Sequence, residues 1–105
     1  MAFDREMNKH LSIDEQIRRG EAAARVLAEP VLKDALEAMK REIIAQWSAT
    51  PARDAEGREW VWRHYKITER FEAMLNGFVQ TGRFERLKIE KDAKTKVVDW
   101  FKRAA

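Results

Sequence analysis

His64 and His10 are the two histidines of a 105-residue chain that has no cysteine. Acid–base or metal chemistry would therefore rest on an imidazole or on carboxylates. His64 lies in TPARDAEGREWVWRHYKITERF, residues 50–71, among Trp60, Trp62 and Tyr65. A general acid or base needs a positioned partner and a substrate pocket. The helical neighbours Glu59, Trp60, Lys66 and Thr68 supply no recognisable constellation, so a packed or partly exposed structural histidine is the better reading. His10 falls in an N-terminal segment that nothing in the sequence places against His64.

Other chemistries find no footing. No HExxH pattern occurs, nor the Glu-x-x-His pair of carboxylate-bridged bundles. Without cysteine there are no disulfides, thiol nucleophiles or thiolate metal sites. GxGxxG and the P-loop pattern are absent. Carboxylates are plentiful, but Lys or Arg accompanies them, as on a solvated helical face. The expectation is a non-enzymatic protein without cofactor or metal.

Binding is better represented. Net charge is +3, unevenly spread: −1 over residues 1–50 and +4 over 51–105, with residues 83–103 alone carrying +4. In that segment Arg83, Arg86, Lys88, Lys91, Lys94, Lys96, Lys102 and Arg103 interleave with Phe84, Trp100 and Phe101. Lysines and arginines can neutralise phosphates while aromatics stack on bases, so nucleic acid is one partner class. Four acids interrupt the run, however, and no helix-turn-helix stands out. A basic amphipathic helix docking through Trp100 and Phe101 on an acidic protein surface explains the same residues and is preferred. Solvated helix charge is the plain alternative.

The elements that position these residues follow from hydrophobic spacing. Charged residues at 37% and apolar residues at 45% suit one all-α domain. Residues 1–11 read as frayed and flexible. Ser12 and Glu15 have capping-box spacing and open a helix to Ala28, weakened by Gly20. Pro30 starts the next helix, where Leu32, Leu36, Met39, Ile43 and Trp47 share one face. Thr50 and Pro51 suggest the cap and first position of a third helix, from Pro51 to Thr81. In it Trp60, His64, Ile67, Phe71, Met74 and Phe78 step by 4, 3, 4, 3, 4 and make a seam for a facing helix. Val61, Tyr65, Thr68, Leu75 and Val79 form an adjoining stripe. Gly82 fits a helix C-cap. Residues 31–81 are thus expected to form an antiparallel hairpin. In the basic segment 83–105 a separate amphipathic helix starts at Asp92, with Ala93, Val97, Trp100, Phe101 and Ala104 on one side.

Trp62 fits neither stripe. It shares a side with Lys66, Glu69 and Ala73. Either a terminal helix covers it, which is the preferred reading, or it is an anchor for another chain. The two stripes are wider than one facing helix requires, which predicts self-association or binding to a larger assembly. The N-terminus MAFDREMNKH has no apolar core of signal-peptide length, and no run approaches the roughly 18 apolar residues of a membrane span. A cytoplasmic setting is expected, with no membrane partner.

The apolar helix ending in Trp47, the break at Thr50-Pro51, then Asp54, Glu56-Gly57-Arg58-Glu59, Trp62 and Lys66, and the stop at Thr81-Gly82 resemble small helical-hairpin proteins encoded among the head and packaging genes of tailed phages and prophages. The resemblance covers about residues 20–84. It implies a virion or assembly role in the host cytoplasm or the particle, with capsid or portal subunits as partners. It carries over no catalytic residue, and the basic C-terminal segment departs from it.

Overall fold

The structure is a computed structural model that describes residues 10–104. Most of the segment expected to fray, residues 1–9, lies outside the described residues. The described chain is all-α, with three helices and no strand: α1 (Ile13–Ala28), α2 (Pro30–Ala49) and α3 (Ala55–Ala104).

Local chemistry sets the breaks. Ser12 accepts a hydrogen bond at its Oγ from the Glu15 amide at 3.1 Å, satisfying one of the first-turn donors of α1. Glu29 is extended, with φ −68° and ψ 120°, as expected for a residue preceding proline. Pro30 occupies the first turn of α2, where its missing N–H costs nothing.

The second break differs from expectation. Thr50 does not cap the third helix but closes α2. Its amide donates to the carbonyls of Gln46 and Trp47, and its hydroxyl donates to Gln46 at 2.6 Å. Asp54 takes the capping role instead, its Oδ1 accepting from the Gly57 amide at 3.0 Å. Two physical reasons combine. A threonine hydroxyl one turn after a carbonyl readily bonds back to it, and an aspartate at the positive end of a helix gains from the dipole as well as the bond.

The larger correction concerns Gly82. It is not a C-cap, and no separate helix begins at Asp92: α3 runs unbroken through both. No glycine has positive φ, so the left-handed geometry of a glycine cap is absent. Gly82 is buried against Gly20 of α1. A Cβ on Gly20 would sit 2.7 Å from the Phe78 carbonyl oxygen and 3.0 Å from the Gly82 Cα. Both glycines therefore serve close backbone approach. Beyond them, Glu, Arg, Leu and Lys in residues 85–91 are good helix formers, and extending an existing helix carries no nucleation cost.

At 1.5 Å per residue the 50 residues of α3 span about 75 Å. That accounts for the long axis of the 77 × 30 × 21 Å molecule. The radius of gyration is 21.0 Å, against about 13 Å for a compact chain of this length. α1 makes the most extensive contact with α3, and α2 a smaller one. The core is correspondingly thin: Ala23, Ile43, Val61 and Val79 are its buried apolar side chains, joined by Thr68. The Thr68 hydroxyl donates to the His64 carbonyl at 3.0 Å, so its burial leaves no unpaired donor.

The glycine crossing is directly testable. Alanine at Gly20 gains about 1 kcal/mol of helix propensity but forces backbone apart, which costs about 1–3 kcal/mol. Gly77 has nothing within 4 Å of a built Cβ, so Gly77→Ala collects the propensity gain alone. Urea unfolding is expected to show Gly20→Ala less stable than the parent and Gly77→Ala more stable. Equal gains at both positions would mean that α1 and α3 do not meet there.

Candidate protein-contact surfaces

α3 carries its apolar residues in two adjoining stripes, and the one of Val61, Thr68, Leu75 and Val79 is the better covered, although its Tyr65 is exposed. Val61 and Thr68 are 4% and 2% exposed, with Val79 buried and Leu75 half-buried. The 4-3-4 seam stays largely open. Trp60, Ile67 and Phe71 are 53%, 63% and 47% exposed, while Met74 and Phe78 are half-buried. The Arg19 guanidinium lies 4.0 Å over the Phe78 ring and closes that end. Phe71, expected in the core, is a surface residue here. The reason is steric: helix α1 approaches α3 where glycines permit it, at Phe78 and Gly82, and Phe71 lies about two to three turns before that crossing.

His64 belongs to the open seam. Its ring tilts against Trp60 with centroids 3.9 Å apart, and it is exposed. No group of His, Asp and Glu able to hold a metal occurs among the described residues.

Trp62 is 53% exposed, and no terminal helix among the described residues covers it, contrary to the preferred expectation. It forms one wall of an open apolar groove of about 170 Å³ with Ile43, Ile44, Trp47, Val61 and Tyr65. The groove lies between α2 and α3. Two contacts hold it together. Arg58 stacks 4.0 Å over Trp47, and Lys40 pairs with Glu72 at 2.7 Å. The hydrogen bond that Lys40 donates to the Glu72 carboxylate holds its ammonium above its ordinary pKa. The Lys66 ammonium lies 5.5 Å from the Trp62 ring centre and 5.9 Å from that of Tyr65, within cation–π range of both.

The C-terminal stretch of α3 carries the remaining predicted residues. Trp100 and Phe101 meet edge to face at 5.1 Å, and both are exposed. The six basic residues expected at nucleic acid are not gathered into one patch. Arg86 is drawn to Glu21 of α1. Lys88 lies 3.7 Å from Glu85 and 5.3 Å from the Phe84 ring. At 100° per residue Lys88, Lys91 and Lys94 follow one side of the helix with Arg83 at its edge, while Lys96 falls well round from them. The sequence reading missed Gly20 and Gly82 as a contact. Gly20 and Ala23, three apart and both small, were its available clue.

Compared with known proteins, the chain matches no family model, no curated protein and no solved structure. No helix among the described residues is long and apolar enough to cross a membrane.

A lone helical extension of about 18 residues is marginal in water. In the isolated chain, backbone amides of residues 88–104 are expected to exchange with deuterium far faster than those of residues 61–82. Protection of the tail equal to that of the Gly82 crossing would show that it is covered within one chain.

Proposed function

We propose that this protein is a non-enzymatic assembly factor that works by protein–protein contact, anchored by the C-terminal end of α3. One observation carries the reading. A continuous helix ends in Trp100 and Phe101, 64% and 62% exposed, with Ala93, Val97 and Ala104 on the adjoining face and α1 and α2 spent elsewhere. Large aromatics in contact with each other and open to water are typical anchors for a partner pocket. Residues 31–81 supply the scaffold as an antiparallel hairpin. In support, Lys40 meets Glu72 while Trp47 meets Arg58, so the contacts run in opposite senses along α2 and α3. The groove beside Trp62 is a second contact surface. The resemblance to phage head and packaging proteins sets this activity in particle assembly in the host cytoplasm, with capsid or portal subunits as partners.

A second reading, a nucleic-acid-binding packaging or regulatory factor, is favoured by the +4 charge of residues 83–103. Arg83, Lys88, Lys91 and Lys94 share an arc of the exposed tail. Arg86 is the weakest member of that set because Glu21 already holds it.

The two readings separate by mutation. The Trp100→Ala, Phe101→Ala double variant is expected to lose at least tenfold in affinity for a structural protein of the particle. The Lys91→Gln, Lys94→Gln, Lys96→Gln variant should retain most of it, because rim lysines tune encounter more than residence. Binding to single- and double-stranded DNA, followed by fluorescence anisotropy over a salt series, tests the alternative. Tight, steeply salt-dependent binding that the triple variant abolishes and the aromatic variant keeps would reverse the assignment.

A further inference from the structure

The open seam on the first half of α3 lies apart from the tail and needs an occupant of its own. We propose that the occupant is a second copy of this chain, packed antiparallel along Trp60, His64, Ile67, Phe71, Met74 and Phe78.

Spacing is the first argument. Alternating steps of 4 and 3 give the 3.5-residue period that keeps a helix facing one partner along its length. Among the described residues no helix fills the seam from Trp60 to Phe71, where Trp60, Ile67 and Phe71 are exposed; α1 reaches only its Phe78 end, where Arg19 lies over the ring. The step pattern 4-3-4-3-4 reads the same in both directions, so the seam can pair with itself about a two-fold axis near residue 69. Trp60 of one copy then faces Phe78 of the other, His64 faces Met74, and Ile67 faces Phe71. An isologous contact of this kind requires such self-complementarity.

Charge selects both the occupant and its direction. Residues 55–80 carry Glu56, Glu59, Glu69 and Glu72 against Arg58, Arg63, Lys66 and Arg70, and are electrically neutral. Two copies meet there without net repulsion. Residues 83–103 carry +4, and a parallel pair would lay the two tails side by side. An antiparallel pair sends them to opposite ends, each free for the tail's own partner.

Area agrees. The surface of the chain is 8630 Å², about 2500 Å² more than the roughly 6100 Å² of a compact protein this long. Obligate dimers bury about 1000–2500 Å² per copy. The excess thus accommodates a helix-pair interface and leaves the tail over.

The test uses the full chain. Sedimentation equilibrium is expected to give a dimer. Ile67→Glu places a charge at the middle of the seam and should yield a monomer, while Leu87→Glu, beyond the seam, should remain dimeric. Orientation is read independently from one spin label at Glu56→Cys, an exposed site in a cysteine-free chain. Thirteen residues from the axis on each side, two such labels lie about 40 Å apart along an antiparallel pair. A label separation below about 20 Å would establish a parallel pair and overturn the proposal. So would a monomer at high concentration, a seam that only a different protein fills, or an Ile67→Glu variant that stays dimeric. Because Trp100 and Phe101 take no part in the seam, loss of the dimer and loss of tail-mediated capture are separate results.

Discussion

Half of this chain is one helix, and that constraint governs everything else. α3 spans about 75 Å, whereas α1 and α2, at 16 and 20 residues, reach about 24 and 30 Å. Each can lie on one side of α3 only. Complete coverage of α3 by α1 and α2 is therefore excluded by length before any side chain is considered. The thin core and the large radius of gyration are consequences of that arithmetic, and so are the exposed aromatics.

What cover exists is concentrated by two glycines. Without side chains, Gly20 and Gly82 let the backbones of α1 and α3 approach closely, and Ala23 and Val79 are buried with them. Arg19 over Phe78 and Glu21 with Arg86 frame the crossing. The Glu21–Arg86 pair is largely solvent-exposed and adds little energy on its own, whereas Arg19 and Phe78 are half-buried. The effect of both contacts is to fix where along α3 the shorter helix sits, and that choice leaves the seam from Trp60 to Phe71 and the tail beyond the other end uncovered.

Much of the architecture was legible in the sequence. Ser12 with Glu15, and Pro30 after an extended Glu29, announce their breaks through side-chain chemistry that acts within one turn. The limits appear where a residue type has two uses. Gly82 has the composition of a helix stop but serves as a contact, and only the position of Gly20 in space decides between them. Thr50 can cap forward or bond backward, and the better cap at Asp54 decides that. The two apolar stripes of α3 were both read correctly as apolar. Periodicity states that a face is hydrophobic, not whether its cover comes from the same chain. For the same reason Phe71 was expected in the core and Trp62 beneath a terminal helix. The basic tail was read by composition, and composition could not show that Glu21 holds Arg86 or that Lys96 turns away from Lys91.

These points converge on one claim: the uncovered faces of α3 are completed by other chains, so folding and association are linked. Linkage makes stability depend on concentration, because mass action favours the state that buries the seam. The most direct measurement is the thermal unfolding midpoint of the purified protein across a hundredfold range of concentration. The account predicts a midpoint that rises steadily with concentration. A midpoint that stays constant over that range, with one cooperative transition, would show a chain that is sufficient by itself and would contradict it.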